Sequence, residues 1–503
     1  MSTGAGNAVG RQETPARPTA SDDRASAQGV VRTRFAPSPT GFMHVGNLRT
    51  GLFAWLTARH ADGQFVLRIE DTDKNREVEG SADHILACLD MLGLNRDEGV
   101  DVDGPYAPYK QSERLDIYRQ WAQKLIDMGR AYADPYTAEQ VQQFREQAQA
   151  SKQPFLYRNH RPENPPVWDG STPLRFKSEP QDYQWHDEVM GDLHAGKEAV
   201  DDFILIKSDG YPTYNFAHIV DDAEMKITHV IRGQEFISSM PNYLNLYEAL
   251  GLEKPIFATM PHILNEQGNK KLGKRDGAKD VLDYVREGYL PETLLSFIAT
   301  LGWNDGTEQE VFTRDELIAK FSLDRVQHSG ARFDEKRLLW MNGQFIRQLS
   351  IRELENRVRD FWPESAATAN EDYKRQVLTL AQDRLKTLAD LPVLTNYFFA
   401  EPTPDWSMID DNKQLKKLDR ARQVELLQAA KSALESTDFT AEKLQETLNN
   451  LLETTGEKPG TLFSLIRFAI TWAPFSPALP ETMATLGHDR TLARLQTAIN
   501  AVN

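Results

Sequence analysis

The chain has 503 residues, of which 40% are hydrophobic and 26% are charged, and its formal net charge is −16. This composition is typical of a multidomain globular protein, and no apolar run approaches the ~18 residues of a membrane span. The negative charge argues against a protein that coats nucleic acid indiscriminately, although it permits a local basic face. The single cysteine, Cys88, excludes an internal disulfide and any zinc site with two or more thiolates. It also favours a reducing, cytosolic compartment.

The segment from Arg34 to Asp73 predicts a βαβ unit. An alternating run, VRTRF, leads into the turn PSPTG, and a second strand is predicted at Gln64–Ile69. Between them, apolar residues recur at helical spacing: Val45, Leu48, Leu52 and Trp55. Such units bind ligands in the crevice beyond the carboxyl ends of their strands.

The start of this predicted helix is suited to binding a phosphate. Gly41 and Gly46 let a phosphate approach the backbone, and the first amides of a helix carry the positive end of its dipole. His44 and Asn47 are three residues apart, which places both on one face of the first turn. The alternative is that the two side chains only cap a surface helix. The turn matches neither the dinucleotide motif nor the P-loop motif.

Further elements are predicted along the chain. Helices are expected at Ser81–Leu92 and Ser112–Met128, and residues 111–211 read as a mixed insertion with a helix near 138–150 and strands at LRFK and FILIK. The pattern returns to the first architecture at Asp209–Glu235. Beyond Arg347 the apolar spacing is helical, and one predicted helix face comprises Val377, Ala381, Leu385 and Leu388.

A lysine-rich loop follows Asn265. Its sequence, NEQGNKKLGKRDGAKD, places five basic residues close together, namely Lys270, Lys271, Lys274, Arg275 and Lys279. A Gly-flanked loop of this kind can close over a triphosphate and stabilise the charge that develops on a leaving pyrophosphate. The alternative is a solvated charge run.

Several segments together carry a family resemblance. PSPTGFMHVGN, RIEDTD, DGYPTYNFAHIVDD, HVIRGQE and KLGKR, in this order and spacing, closely resemble the glutamyl-tRNA synthetases, a family of class I aminoacyl-tRNA synthetases. The resemblance implies an α/β Rossmann-like catalytic domain with an α+β insertion, followed by an all-α anticodon-binding domain. The expected boundaries are a disordered tail at 1–30, the catalytic domain at 31–110 and 212–265, the acceptor-binding insertion at 111–211, a stem-contact region with the KMSKS-like loop at 266–350, and the anticodon-binding domain at 351–503.

The activity that the resemblance implies is glutamate–tRNA ligation. ATP activates L-glutamate to glutamyl-adenylate with release of pyrophosphate, and the 3′-terminal adenosine of tRNA(Glu) then accepts the glutamyl group with release of AMP. HVGN stands where class I enzymes carry HIGH, and KLGKR where they carry KMSKS. The resemblance therefore implies that His44, Gly46, Lys271 and Lys274 are catalytic and that they bind ATP with Asn47 and Arg275. Asn47 and Gly273 depart from the general motifs, in which a histidine and a serine are usual.

The resemblance also implies which residues bind glutamate and tRNA. The resemblance places six residues around the amino acid: Arg34, Ala36, Ser38, Glu70, Tyr214 and Arg232. Each arginine can form a bidentate pair with a carboxylate, and Glu70 can hold the ammonium group; structural salt bridges are the alternative for the arginines. Arg384 is implied to contact tRNA, and the alternative is an exposed helical arginine.

The implied cofactors and partners are ATP with Mg²⁺, L-glutamate and tRNA(Glu), for a monomeric cytoplasmic protein without a membrane partner. Some family members hold zinc on cysteines of the insertion, but residues 106–160 contain no cysteine, so no structural zinc is expected.

Other activities remain to be distinguished. A non-discriminating enzyme would also charge tRNA(Gln) with glutamate. A glutaminyl-tRNA synthetase would carry β-barrels where this chain is helical, and a glutamyl-queuosine enzyme would lack the C-terminal domain. A small-molecule nucleotidyltransferase needs neither the insertion nor the helical domain, and a non-catalytic RNA-binding paralogue would be expected to lose His44 or the loop lysines.

Overall fold

The structure is a computed structural model, and it describes residues 29–273, 279–473 and 475–501. The predicted tail therefore lies outside the described residues except at its end, and Lys274 and Arg275 lie outside them as well. The chain separates into two compact units, one comprising Met1–Asp280 and Ile298–Phe333 and the other Val281–Phe297 and Asp334–Asn503. In the described part of the chain, no helix is long and apolar enough to cross a bilayer.

A seven-stranded sheet organises the first unit. In chain order the strands of this unit are β1 (Arg32–Phe35), β2 (Gln64–Leu67), β3 (Glu98–Gly99), β4 (Ala131–Ala133), β5 (Leu174–Phe176), β6 (Tyr183–Asp187), β7 (Gly191–Ala195), β8 (Ile204–Ile206), β9 (His229–Gly233), β10 (Ile256–Met260), β11 (Ile263–Leu264) and β12 (Ala331–Arg332). The main sheet has the order β3-β2-β1-β9-β10-β6-β7. Its neighbours are parallel except for the β6–β7 hairpin. Strands β4, β5 and β8 form a separate antiparallel sheet.

The first unit also contains helices. They are α1 (Val45–His60), α2 (Ser81–Met91), α3 (Leu115–Asp127), α4 (Ala138–Ala150), α5 (Tyr214–Glu224), α6 (Met240–Leu250) and, further along the chain, α9 (Arg314–Lys320). Helix α1 lies close to β1 because Gly51 has no side chain: a Cβ there would be 3.1 Å from the Phe35 ring. The predicted α4 and the two predicted insertion strands are confirmed. Strands β6 and β7 come from the predicted insertion range but extend the main sheet.

The second unit is helical, as predicted. Its helices are α7 (Val281–Arg286), α8 (Pro291–Ala299), α10 (Glu335–Gln348), α11 (Ile351–Arg357), α12 (Glu371–Ala381), α13 (Leu391–Phe399), α14 (Ser407–Asp411), α15 (Arg420–Leu434), α16 (Ala441–Thr455), α17 (Pro459–Thr471), α18 (Leu479–Leu486) and α19 (His488–Asn500). Leucines at helical spacing, such as Leu444, Leu448 and Leu451 on α16, are buried in its core. Burial of these apolar faces holds the helices together.

One predicted helix is wrong at its end. The spacing from Val377 to Leu388 predicts a single helix face, but α12 ends at Ala381 and one 3₁₀ turn, Gln382–Arg384, follows. The Gln382 side chain donates to two carbonyl groups near the end of α10, those of Ile346 and Leu349. Leu385 then adopts an extended conformation. It stays buried through tertiary packing, which local periodicity does not encode.

Candidate active site

The crevice lies where β1 meets β9. The chain leaves β1 towards β2 on one side, while β9 and β10 lie on the other, so the sheet order reverses at this point. Ligands of open α/β sheets bind at the carboxyl ends of the strands at such a reversal. A cleft of about 400 Å³ opens there. Its lining includes Asn47 and all six residues predicted to bind the substrate glutamate, namely Arg34, Ala36, Ser38, Glu70, Tyr214 and Arg232.

Arg34 is buried at the end of β1 and is already partly engaged by the protein. Its Nε donates to Asp222 Oδ1 at 3.0 Å, and its Nη1 donates to the Ile231 carbonyl at 3.1 Å. These bonds fix the guanidinium plane and leave Nη2 as the nitrogen best able to reach a ligand. A side-on bidentate pair through Nε is therefore closed to a substrate carboxylate.

Glu70 follows β2, and only one of its two carboxylate oxygens is hydrogen-bonded among the described residues. Arg68 Nη2 donates to Glu70 Oε1 at 2.9 Å, whereas the buried Oε2 has no hydrogen-bond partner among the described residues. Burial raises the pKa of Glu70 to about 7, against the lowering effect of the Arg68 and Arg34 charges. The carboxyl group thus titrates near neutral pH and has an oxygen available for a cationic ligand.

A buried ion network supports these two residues, and sequence reasoning did not find it. Arg68 donates to Asp222 at 2.8 Å and lies 3.6 Å from Asp221. Asp221 in turn accepts from Arg114 at 2.7 Å, and Gln111 and Tyr118 also donate to it. The sequence shows only that Arg68 directly follows a buried strand. Its partners Asp221 and Asp222 could not be read from the sequence, because they lie more than a hundred residues away along the chain.

Arg232 is buried in an aromatic surrounding at the end of β9. It is 5% exposed, and its guanidinium carbon lies 5.4 Å, 5.0 Å and 5.6 Å from the ring centroids of Phe236, Tyr243 and Phe257. One guanidinium nitrogen also contacts the Met240 sulfur. Within the described residues no carboxylate lies at ion-pair distance from Arg232. A buried guanidinium without a counter-ion is well suited to receive an anionic ligand.

Tyr214 and His218 form a neutral wall beside Arg232. The Tyr214 ring stacks on Phe236 at 5.2 Å and on His218 at 4.8 Å. His218 Nδ1 lies 2.8 Å from the Tyr214 carbonyl, and burial lowers the pKa of His218 to about 3, helped by the Arg232 charge. His218 therefore stays uncharged and adds no competing cation to the pocket. Burial likewise raises the pKa of Tyr214.

His44 precedes α1 instead of lying within its first turn, which corrects the placement expected from the sequence. It is the N-cap residue, with an extended backbone, and its Nδ1 accepts the Gly46 amide at 3.1 Å. An acceptor Nδ1 places the proton on Nε2, so a neutral His44 presents Nε2 as a donor. Gly46 makes this possible, because a Cβ there would be 3.0 Å from the imidazole.

Lys271 lies on the return strand of a hairpin that starts at β11. The Asn265 amide donates to the Lys270 carbonyl, and the Leu272 amide donates to the Ile263 carbonyl. Lys271 is exposed. The pKa of His262 is lowered mainly by burial of His262 itself and further by the Lys271 charge. The structure therefore describes the first lysine of the KLGKR segment but not Lys274 or Arg275, which lie outside the described residues.

A second cleft, of about 610 Å³, lies within the second unit. It is lined by Arg384, Lys386, Asp390, Val393, Leu394, Arg467, Phe475 and Ser476. Arg467 Nε donates to Ser476 Oγ at 2.8 Å. The pKa of Arg467 is lowered mainly by burial and also by the nearby Arg384 charge. The Phe475 side chain is 68% exposed. Two arginines beside an exposed aromatic ring suit a phosphate and an unstacked base.

The sheet reversal, the His-Val-Gly-Asn start of α1 and the buried charged pocket define the catalytic domain of a class I aminoacyl-tRNA synthetase, which uses ATP. Comparison with known families agrees. Residues 30–340 match the family described as tRNA synthetases class I (E and Q), catalytic domain, and residues 353–499 match the anticodon binding domain family.

Similar proteins narrow the class to one family. The glutamate–tRNA ligase of Chloroflexus aurantiacus is 40% identical over 499 residues, which cover 95% of this chain and 99% of that protein. That of Dehalococcoides mccartyi is 41% identical and covers 93% and 97%. A crystal structure of a glutamate tRNA ligase from Elizabethkingia meningosepticum, in complex with its amino acid, has a TM-score of 0.84 at 34% identity and covers 94% of this chain and 100% of its own. The chain belongs to the glutamate–tRNA ligase family.

Proposed function

We propose that this chain activates L-glutamate with ATP to glutamyl-adenylate and transfers the glutamyl group to the 3′-terminal adenosine of tRNA(Glu). The observation that carries the proposal is the charge balance of the residues that line the cleft. Three arginines and two carboxylates line the cleft: Arg34, Arg76 and Arg232 against Glu70 and Glu235. The excess positive charge complements glutamate, which has two carboxylates and one ammonium. Glutamine, with no net charge, would leave the excess uncompensated.

In this proposal Arg232 and Arg34 bind the two carboxylates of glutamate. Arg232 offers a guanidinium that has no counter-ion among the described residues, and Arg34 offers Nη2. The free oxygen of Glu70 accepts from the ammonium, which fixes the orientation of the amino acid. Tyr214 closes the pocket, while the small Ala36 and Ser38 leave room beside it. The α-carboxylate is thereby positioned to attack the α-phosphate of ATP.

The ATP phosphates are bound from two sides. His44 donates from Nε2, the start of α1 at Gly46 supplies its dipole, and Asn47 adds an amide donor. Lys271, Lys274 and Arg275 bind from the KLGKR segment and stabilise the departing pyrophosphate. No covalent enzyme intermediate is needed, so the protein contributes positioning and electrostatics. Mg²⁺ enters with the ATP phosphates as part of the substrate.

The tRNA contacts are assigned to local features, since the whole chain is acidic. The cleft around Arg384 and Arg467 supports anticodon recognition, with Phe475 as a stacking surface. Residues 111–211 are proposed to bind the acceptor end, and residues 266–350 the stem. We propose a cytoplasmic monomer for this function.

Aminoacylation assays test the proposal directly. Purified chain, ATP and tRNA(Glu) should yield glutamyl-tRNA with glutamate and no charged product with glutamine. Full charging of tRNA(Gln) with glutamate would identify a non-discriminating enzyme, an alternative that the similar proteins do not favour. Absence of glutamate charging on any tRNA would refute the proposal.

A further inference from the structure

Three potential metal ligands converge at the edge of α2. His84 and Cys88 are four residues apart on this helix and so share one face. His84 Nε2 lies 3.4 Å from Cys88 Sγ and 3.0 Å from Asp280 Oδ1. All three ligand atoms lie within 4.8 Å of one another. We propose that His84, Cys88 and Asp280 bind one divalent cation of the zinc class.

The distances support a shared cation. Zinc bonds of about 2.0–2.3 Å at tetrahedral angles separate neighbouring ligand atoms by roughly 3.3–3.6 Å, close to the two separations measured here. A neutral imidazole nitrogen carries at most one proton, so Nε2 cannot donate fully to both a sulfur and a carboxylate. A cation bound between the three atoms would replace these competing contacts with one bond to each ligand.

The ligand types select the class of ion. A thiolate with an imidazole and a carboxylate suits Zn²⁺, whereas Mg²⁺ and Ca²⁺ prefer oxygen ligands alone. Binding forms three coordinate bonds, releases the Cys88 thiol proton to solvent and changes no oxidation state. Water completes the coordination. A site with one thiolate is compatible with a single cysteine, which excluded only sites with two or more.

The site is placed to act on the catalytic loop. Asp280 lies a few residues after the KLGKR segment, and its backbone forms a β-bridge with His44. The His84 ring also packs against Phe42, with centroids 4.7 Å apart. A bound ion would hold Asp280 against α2, beside the start of α1. This consequence for catalysis rests on the proposed function, whereas the metal site itself does not.

Metal analysis of the full-length chain without an affinity tag tests the site. After chelation and reloading, the protein should retain one equivalent of Zn²⁺, and Co²⁺ should give a sulfur-to-cobalt charge-transfer band. Cys88→Ser should abolish the band, and Asp280→Asn should weaken Zn²⁺ binding by ~10-fold or more. His328→Ala, which removes an exposed histidine, should change neither result.

Thermal unfolding followed by circular dichroism separates binding from folding. Zn²⁺ should raise the midpoint of the wild-type protein and not that of the Asp280→Asn protein. The proposal is overturned if no zinc is retained, if the cobalt band is absent, or if both variants bind as the wild type does. Should Cys88→Ser fail to fold, Asp280→Asn alone decides. Glutamate charging by a metal-free protein would leave the proposed function intact.

Discussion

At the scale of single residues, the site depends on charges that are buried before any ligand arrives. Arg232 lacks a carboxylate partner among the described residues, while the Oε2 atom of Glu70 lacks a hydrogen bond. Burial of unpaired polar groups costs stability, so such atoms are expected where a ligand completes the network. Substitutions of Arg232, of Glu70 and of the neighbouring Asp222 test the roles proposed for these residues.

Replacement of Arg232 tests the recognition of a substrate carboxylate. Arg232→Lys keeps the charge but loses the planar fork of donors, so the KM for glutamate should rise by ~10- to 100-fold. The KM for ATP should stay within about twofold, since the phosphate groups are bound elsewhere. Arg119→Lys, at an exposed position on α3, is the matched control. An unchanged KM for glutamate would remove Arg232 from substrate binding.

Glu70 should give the reaction a pH dependence near neutrality. Its pKa is raised to about 7, so the carboxylate that binds ammonium is present above that pH and is lost as the pH falls. We expect kcat/KM for glutamate to fall up to about tenfold per pH unit below pH 7. Glu70→Gln should lower kcat/KM and flatten the profile. A wild-type profile without an inflection near pH 7, or one retained in Glu70→Gln, would contradict this assignment.

Asp222 is expected to act as a positioning residue. Its Oδ1 accepts from both Arg34 and Arg68, so Asp222→Asn leaves two buried guanidinium groups short of a counter-ion. Stability should fall by about 3–5 kcal/mol, and the KM for glutamate should rise ~10-fold as Arg34 loses its orientation. Asp222→Glu should recover part of the substrate affinity. If stability falls while the KM stays constant, Asp222 is structural only.

The residue scale also marks a limit of sequence reasoning. Arg34, Glu70 and Arg232 can be located from the sequence, because each lies within or next to a segment that resembles a family motif. Asp221 and Asp222 stand in such a segment as well, yet their partners Arg68 and Arg114 are remote in sequence. Only the fold brings them together, and so only the structure gives the charge balance of this ion network.

At the scale of elements, we propose that the start of α1 combines helix capping with phosphate binding. His44 caps the helix through Nδ1, and in this proposal its Nε2 binds the ATP phosphates, so capping and ligand binding are compatible. Prediction of elements was good where local signals dominate: Thr137 and Gln140 form a capping box at α4. It was wrong at the end of α12, where the Gln382 side chain and burial decide the path of the chain.

Gly46→Ala tests this arrangement. The added Cβ would meet the His44 imidazole at about 3.0–3.1 Å and displace it from the cap. We expect kcat for aminoacylation to fall by ~10-fold or more, with little change in the KM for glutamate. Gly343→Ala, within α10, is the control, because its Cβ would meet mainly the flexible Arg347 side chain. A wild-type kcat in Gly46→Ala would show that the His44 cap does not contribute to catalysis.

At the scale of the whole molecule, we propose that the first unit carries the chemistry and that the second contributes contacts to the anticodon. The helical class of the second unit could be predicted from periodicity. Its cleft could not, because Arg384, Arg467 and Phe475 come from different segments of the chain. A formal net charge of −16 means that tRNA must be bound through such local basic sites.

Arg384→Ala should weaken tRNA binding without affecting the amino-acid pocket. The KM for tRNA(Glu) should rise by ~10-fold, its salt dependence should become weaker, and the KM for glutamate should stay unchanged. Arg352→Ala, an exposed arginine of the same unit, is the matched control. Equal effects of both substitutions would indicate general electrostatics instead of a specific contact.

The measurement closest to the central claim is aminoacylation of purified tRNA(Glu) by this chain with glutamate and glutamine in parallel. The cleft, lined by three arginines and two carboxylates, predicts ATP-dependent formation of glutamyl-tRNA and no product with glutamine. Equal charging with both amino acids, or none with glutamate, would contradict the account.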